Sequence, residues 1–297
     1  MYNILICYRG KYPTRTTILD HLYSFERYSG QRCFYLNLAT EKLSGYLLRI
    51  PFDLIIFHTN FLSSRWQLET FITLTNKVRP LKNSTAVKIV LPQDEFYCTD
   101  VVCDFINEFG IDHVFSVAPP SEWKEIYKTV DFSKVKFHPV LTGYLERHTL
   151  KRIDQMAKAV RDRDLKIGYR AWRAEPWLGR HGYLKTQLAE IFQCVSAAKG
   201  IKADISTQAE DTLHGDAWYE FLLRCQYTIG VEGGASILDW DGSVRERTDR
   251  YMAQHPGAEF EEVESACFPG LDGSLDLFAI SPRHLEACAT KTCQVLI

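Results

Sequence analysis

The chain lacks both long apolar runs and an excess of charge of one sign. Its longest apolar stretches, such as Leu54–Phe57, have the length of a strand and fall far below the roughly 20 residues of a membrane span. The 35 Lys and Arg residues against 37 Asp and Glu residues give a formal net charge of −2, so no broad positive field exists for a nucleic-acid backbone. Residues 1–7 are too short for a secretory signal and run into Arg9. We expect a cytoplasmic protein without a nucleic-acid partner.

Several catalytic signatures are also missing. No Gly-x-Gly-x-x-Gly follows the first apolar run, which weakens a dehydrogenase interpretation, and no Gly-Lys-Ser/Thr loop indicates a kinase or NTPase. Ser206, His58 and Asp211 show no hydrolase pattern, because there is no Gly-x-Ser-x-Gly elbow. The nine cysteines are odd in number and none are paired as Cys-x-x-Cys, which favours buried, reduced thiols over a zinc or disulfide framework.

What the first half does contain is an alternation of short apolar runs and amphipathic segments. Short apolar strands separated by helices predict a mostly parallel, doubly wound sheet covered on both faces. The rhythm stops at residues 139–144, and a charged segment follows. The predicted strands are residues 3–7, 31–36, 52–57, 86–91 and 111–117, and the predicted helices are residues 14–28, 65–78 and 100–109.

The second half repeats the alternation. The implied fold is α/β, with two doubly wound Rossmann-like domains, residues 1–148 and 165–297, joined by a connecting helix over 149–164 and facing each other across a cleft. Because the chain ends on a predicted strand, we expect the second domain to be incomplete at its C-terminus. The predicted strands are residues 165–169, 203–206, 226–231, 277–280 and 294–297, and the predicted helices are residues 182–199, 217–224, 243–253, 259–266 and 282–290.

Polar residues follow three strands of the first domain. Ligands of doubly wound sheets bind at the carboxyl ends of the strands, which selects Arg9 with Gly10, His58, and Asp94 with Glu95. Adjacent carboxylates at a strand end could supply a base for an acceptor hydroxyl. The alternatives stay open at this point: a simple turn at Gly10, a satisfied histidine, and carboxylates that cap the next helix or are solvated.

The second half carries an ordered set of short motifs. They are Lys-Ile-Gly-Tyr-Arg at 166–170, Pro-Trp-Leu-Gly at 176–179 with Lys185, Gly-Val-Glu-Gly-Gly-Ala-Ser-Ile at 230–237 with Asp239 and Gly242, and Ser-Pro-Arg-His-Leu-Glu-Ala at 281–287. Together they resemble the donor-binding domain of bacterial GT-B glycosyltransferases of the "glycosyl transferases group 1" type. Gln-Asp-Glu at 93–95 and Leu-Thr-Gly-Tyr at 141–144 also stand where such proteins lead us to expect them.

The resemblance implies transfer of a sugar from a nucleotide-diphosphate sugar to an acceptor hydroxyl in surface-polysaccharide or glycan synthesis. It implies no metal and no cofactor beyond the donor itself. A glycan or lipid-linked acceptor would bind the first domain, and peripheral contact with the inner membrane is left open. The implied donor-binding residues are Arg170, Lys185, Glu232, Gly233, Gly234, Arg283 and Glu286, with Glu286 on the ribose; the acceptor-side residues are Arg9 and Gly10, and Asp94, Glu95 or His58 would assist catalysis.

Two departures from the family pattern qualify this interpretation. Phe278 stands where many relatives carry a second glutamate, eight positions before Glu286, so whether configuration is retained or inverted stays open. Together with the early end of the chain, it also motivates an alternative: a non-catalytic, glycosyltransferase-like binding or scaffold module of a larger protein.

Two further motifs have competing interpretations. Asp239-Trp-Asp241 has the Asp-x-Asp form of a metal–diphosphate site, but Asp162-Arg-Asp164 shares that form and is predicted to lie on a charged helix. We therefore favour a capping or loop-structuring role for Asp239 and Gly242. Trp172 and Trp177 flank Pro176 and are either a sugar-stacking platform or packing at a domain edge, with packing preferred.

Overall fold

The computed structural model describes residues 1–10 and 15–297 and contains two separate parallel sheets. The first sheet has six strands in the order β2-β1-β3-β4-β5-β6, and all neighbours run parallel. Its strands are β1 (Asn3–Tyr8), β2 (Arg32–Asn37), β3 (Leu54–Phe57), β4 (Val87–Val90), β5 (His113–Ser116) and β6 (Lys136–Pro139). We call this sheet and its helices the first lobe.

The helices of the first lobe lie between these strands, as the alternation predicts. They are α1 (Thr16–Ser29), α2 (Thr59–Leu62), α3 (Leu68–Val78), α4 (Thr99–Phe109) and α5 (Trp123–Ile126). Thr14, the predicted first residue of α1, lies outside the described residues. Strand β6 was not predicted, because an edge strand that is exposed at both ends and closes on Pro139 carries little apolar signal.

The second lobe has a four-stranded parallel sheet in the order β12-β9-β7-β8. Read from β8 to β12, this order matches the β2-β1-β3-β4 order of the first sheet. In both sheets the order in which strands are added therefore reverses beside the first strand of the lobe. The strands are β7 (Leu165–Arg170), β8 (Ala203–Ser206), β9 (Cys225–Gly230) and β12 (Cys293–Leu296); the helices are α7 (Gly179–Lys199), α8 (Asp216–Arg224), α9 (Ser243–Gln254), α10 (Phe260–Cys267) and α11 (Pro282–Ala289). The predicted α/β architecture of two parallel sheets is confirmed.

The predicted strand 277–280 does not join this sheet. Its residues form β11 (Leu277–Ala279), which pairs antiparallel with β10 (Gly233–Ala235) as a separate two-stranded ribbon. Gly234 has a φ of 130°, and a Cβ there would lie 1.8 Å from the Leu277 carbonyl oxygen. The close strand pairing therefore requires this glycine, which belongs to the 230–237 motif.

The connecting helix α6 (Arg147–Ala157) ends earlier than the predicted residue 164. The Asp162-Arg-Asp164 motif consequently lies after the helix instead of on it. There Asp164 forms ion pairs with Lys202 at 2.9 Å and Arg224 at 2.8 Å, which tie the connection to the second lobe. Asp164 of this motif thus serves surface pairing.

The two lobes share a continuous apolar core on one side. The rings of Trp66, Phe96 and Tyr97 from the first lobe pack around Trp177 of the second, with centroids 5.3–6.3 Å from that of Trp177. We call these four residues the aromatic seam. Apolar side chains of α9, α10 and β11 continue the same core into the second lobe. The relative position of the lobes is thus set by packing as well as by the connecting helix.

Strand β12 forms one edge of the second sheet, and its residues are largely exposed. Val295 and Leu296 are 39% and 55% exposed. Nowhere in residues 1–10 or 15–297 does a helix combine the length and apolar character needed to cross a membrane.

Candidate functional site

A cleft opens between the lobes beside the carboxyl end of β7. The first lobe contributes the beginning of α1, and the second contributes the ends of β7 and β8 and the first turns of α8 and α11. This is the edge at which doubly wound sheets bind ligands. The residues lining the cleft include Arg15, Thr16, Thr17, Arg170, Trp172, Thr212, Trp218, Arg283 and Glu286.

Glu286 is the buried carboxylate of the cleft. It is 6% exposed on the second turn of α11, and it accepts a hydrogen bond of 2.7 Å from Trp218 Nε1. Burial raises its pKa to about 6, against the opposing effects of the Trp218 hydrogen bond and the nearby Arg283 and Arg15 charges. One carboxylate oxygen has a partner in the indole, which leaves the other able to accept a hydrogen bond from a ligand hydroxyl.

Arg283 and Arg15 bring two positive charges to the same cleft from opposite lobes. Arg283, one turn before Glu286, donates to the Arg170 carbonyl, and its guanidinium lies 5.9 Å from the Trp218 ring centroid. Arg15 lies 5.5 Å over the Trp172 ring. Burial lowers the pKa of Arg283, and the Arg15 charge lowers it further. Neither arginine has an ion pair with a carboxylate in the described part of the chain, so an anion between them would be stabilised.

Lys185 of α7 is half-buried and does not line the cleft, although it lies near enough to Arg283 for the two charges to interact. Burial lowers its pKa, Arg283 lowers it further, and Asp94 of the first lobe acts in the opposite direction. Within residues 1–10 and 15–297 its ammonium group has no hydrogen bond or close ion pair. Two histidines, His181 and His284, lie near enough to Lys185 for its charge to lower their pKa values, although burial is the larger cause.

Arg170 lines the cleft but directs its guanidinium elsewhere. Its Nη2 forms an ion pair of 2.8 Å with Asp204, and its charge lies 4.4 Å over the Phe221 ring. The Arg170 charge is therefore largely neutralised within the second lobe, in contrast to Arg283.

Asp94 and Glu95 are neighbours in sequence but have different surroundings. Asp94 adopts a left-handed backbone with a φ of 55°, and its carboxylate makes no hydrogen bond with described residues. Glu95 is 1% exposed, and its carboxylate accepts from Ser116 Oγ and Tyr127 Oη, each at 2.5 Å. It also accepts from the Val117 amide at 2.9 Å. Burial raises the pKa of Glu95, and its hydrogen bonds hold the loop after β5.

His58 and Gly10, both at strand ends, are engaged inside the first lobe. His58 is 1% exposed; its Nδ1 accepts from the Asn60 amide at 3.2 Å, and its Nε2 lies 2.9 Å from His21 Nδ1. Burial lowers the pKa of His58 to about 3. The Gly10 amide donates to Asn37 at 2.9 Å. Arg9 is half-buried in the same loop and does not line the cleft.

The β10–β11 ribbon carries the remaining predicted donor contacts. Glu232 is exposed just before it, close enough to raise the pKa values of His181 and His284 against the larger effect of their burial. Gly233 and Gly234 belong to β10 itself. Phe278 stands where many of the glycosyltransferases that the sequence resembles carry a second glutamate. Its ring centroid lies 4.0 Å from that of His181. An aromatic pair therefore occupies this place.

Asp239 has the capping role that the sequence favours. It is fully buried, and its carboxylate accepts from the amides of Val244 and Arg245 at 3.0 and 2.8 Å. Its main chain pairs with Phe96 and Cys98 of the first lobe. Across the described ranges, no three His, Cys, Asp or Glu side chains form a potential metal-binding group.

Arg15 and Trp218 are cleft residues that the sequence interpretation did not select. Trp218 lies on α8, a segment that the sequence predicts to be a helix without indicating a role in the site. Its indole donates to Glu286 and orients that carboxylate. Arg15 directly precedes α1, and an Arg at a helix start after a first strand is a signal that could have been used. Comparison of the chain with protein-family models, curated proteins and solved structures finds no match.

Proposed function

We propose that this chain is a GT-B type glycosyltransferase that binds a nucleotide-diphosphate sugar in the cleft and transfers the sugar to an acceptor hydroxyl. The observation that carries the proposal is the placement of Arg283 and Glu286, one turn apart on α11, in a cleft that also receives Arg15 from the other lobe. A carboxylate suits the ribose hydroxyls, and two arginines without carboxylate partners suit a diphosphate. The remaining motifs that resemble this family support the same assignment.

In the proposed reaction the anomeric carbon–oxygen bond to the diphosphate breaks and a bond to the acceptor oxygen forms. Negative charge develops on the leaving diphosphate, where Arg15, Arg283 and Lys185 would stabilise it. The acceptor proton needs a base. Asp94 is our candidate, because its carboxylate has no internal hydrogen bond whereas those of Glu95 are occupied.

The acceptor and the cellular setting follow from the resemblance alone. We propose a glycan or lipid-linked acceptor bound on the first lobe, in surface-polysaccharide synthesis on the cytoplasmic side of the inner membrane. No step of the proposal uses a metal ion.

Titration calorimetry with UDP and GDP tests donor binding. We expect one nucleotide to bind the wild-type chain and Glu286→Ala to weaken that binding at least tenfold, because the ribose hydroxyls lose a buried acceptor. Glu108→Ala, on the outer surface of α4, is the matched control and should bind like wild type. Absence of binding by both nucleotides to the folded wild-type chain, or equal binding by Glu286→Ala, would contradict the proposal.

The internal engagement of Glu95 and His58 favours one alternative, a module that binds the donor without transferring it. In that case nucleotide binding would survive while no sugar is transferred or hydrolysed. A panel of nucleotide sugars, assayed for release of the nucleoside diphosphate, distinguishes the two. Turnover that Asp94→Asn abolishes supports the enzyme, and binding without turnover for every donor supports the module.

A further inference from the structure

Arg65 is a fully buried arginine of the first lobe with no ion pair in the described part of the chain. It lies in the turn before α3, is 1% exposed, and is among the largest side chains that are completely enclosed. Burying an unpaired guanidinium is costly unless all its donors are satisfied. Its surroundings must therefore account for its charge.

The partners of Arg65 are main-chain carbonyls. Its guanidinium donates to the carbonyl oxygens of Leu62, Gln93, Asp94 and Tyr97 at distances of 2.5–3.1 Å. Three of these four belong to the loop that follows β4. A planar fork of fixed donors is suited to holding several carbonyls in one arrangement, which the single ammonium of a lysine cannot reproduce.

That loop has an unfavourable backbone. Asp94 and Cys98 both have left-handed φ values, 55° and 45°, which residues other than glycine adopt rarely. Such a conformation persists only where its surroundings impose it. Arg65 holds the carbonyls of the loop, while the Glu95 side chain fixes the loop to the amides of Val117 and Ala118.

The loop is related to the second lobe in two ways, through the charge of one side chain and through main-chain hydrogen bonds. Asp94 is the first-lobe charge that acts on Lys185, and the Phe96 carbonyl and Cys98 amide pair with Asp239 at 2.8 and 2.9 Å. We propose that Arg65 is a positioning residue, which fixes the 93–98 loop so that its main chain meets Asp239 and its Asp94 carboxylate is held near Lys185 of the second lobe. This assignment goes beyond the proposed function and does not depend on which ligand occupies the cleft.

The reactivity of Lys185 tests the proposal without any ligand. A nearby carboxylate favours the protonated, unreactive amine, so Asp94 opposes the effect of burial, which lowers the pKa of Lys185. Acetylation at pH 8, followed by mass spectrometry, measures the reaction rate of Lys185 in the wild-type chain and in each variant. We expect Asp94→Asn to raise the rate about threefold or more. Arg65→Lys should raise it to a similar extent, and the double variant should react no faster than Asp94→Asn alone.

Arg79→Lys is the matched control, because Arg79 is 60% exposed and its one ion pair among the described residues is with Glu108. It should leave Lys185 at the wild-type rate, and the rate of Lys82 should stay constant in every variant. A general loss of stability would accelerate many lysines together, whereas the proposal requires an effect that depends on Asp94. An unchanged Lys185 rate in folded Arg65→Lys, or additive effects in the double variant, would overturn it.

A second measurement covers the case in which Arg65→Lys does not fold. NMR of ¹⁵N-labelled arginine should show separate, slowly exchanging Nη signals for Arg65, whose rotation is blocked by its carbonyl partners. Because the Arg163 guanidinium also donates to three carbonyl oxygens, the spectrum is recorded in Arg163→Lys, where the Arg65 signals should persist. Glu95→Gln, which leaves those carbonyls in place, should keep them. Rotationally averaged signals from every arginine would contradict the proposed clamp regardless of the variant.

Discussion

The two places where the lobes meet have opposite chemistry. At the aromatic seam, four rings pack together, the Arg245 guanidinium lies 5.3–5.6 Å over three of them, and the buried Asp239 carboxylate is satisfied by two amides. In the cleft, Arg15 and Arg283 form no close ion pair with any described carboxylate, and the buried Glu286 has a raised pKa. Lys185, near Arg283 but outside the cleft lining, has no close ion pair with a described carboxylate either.

This difference separates what holds the lobes together from what is left for a ligand. The seam buries apolar surface and satisfies its polar groups, so it contributes to stability without an added molecule. The cleft keeps charges that the chain itself does not neutralise, an arrangement that lowers stability and is expected at binding sites.

The largest expected effect comes from the two tryptophans that flank Pro176. Trp177 is 4% exposed in the seam and Trp172 is 63% exposed at the cleft. Trp177→Ala should lower the free energy of unfolding by about 3–5 kcal/mol, since it leaves a cavity among three rings. Trp172→Ala should change it by no more than about 0.5 kcal/mol. Urea denaturation followed by circular dichroism measures both, and equal losses would remove the distinction between seam and cleft.

A smaller effect, of opposite sign, is expected at Glu286. Its pKa is raised by burial from 4.5 to about 6, so the unfolded chain releases this proton at a lower pH than the folded chain. Below pH 4.5 both states are protonated and the carboxyl has no effect on stability. As the pH rises through 6 the wild-type chain loses about 2 kcal/mol relative to a residue that does not ionise.

Glu286→Gln should therefore be more stable than wild type by about 2 kcal/mol at pH 7, with the difference vanishing below pH 4.5. Urea unfolding of both proteins from pH 4 to 7.5 gives the two profiles. The half-buried Glu108→Gln, far from the cleft on α4, should run parallel to wild type throughout. If the profile of Glu286→Gln were also parallel to that of wild type, ionisation of the buried Glu286 carboxyl would not destabilise the folded chain.

The sheet strands could be predicted because their apolar runs are short and separated by helical patterns. Of the strands in the two parallel sheets, the pattern missed only β6, whose residues are too polar to register. The ribbon of β10 and β11 could not be predicted, because a Gly-Gly pair has the same composition in a ligand-binding turn and in a tight strand pair. Only the position of the Leu277 carbonyl, where a Cβ on Gly234 would fall, distinguishes the two.

The site residues likewise include some whose placement follows from local sequence and others whose placement does not. Arg283 and Glu286 share one helical face, so their joint appearance in the cleft follows from local spacing. Asp94 and Glu95 were indistinguishable in sequence, and their separation arises from Arg65 and Tyr127, 29 and 32 residues away in opposite directions. Pairing His58 with His21, 37 residues earlier, likewise depends on how α1 packs on β3, which no local pattern contains.

The smallest expected effect belongs to Lys185. Its half-buried ammonium is repelled by Arg283 and attracted by Asp94. Desolvation and repulsion by Arg283 outweigh Asp94 and lower the pKa of Lys185. Lys185→Met should therefore raise the free energy of unfolding by up to about 1 kcal/mol, because methionine fills similar space without a charge. Chemical denaturation at pH 7 checks this, with Lys82→Met on the outer surface as the matched control. A loss of stability beyond that of the control would mean that Asp94 already neutralises Lys185 in the free protein, and Lys185 would then belong with the groups that join the lobes instead of those that await a ligand.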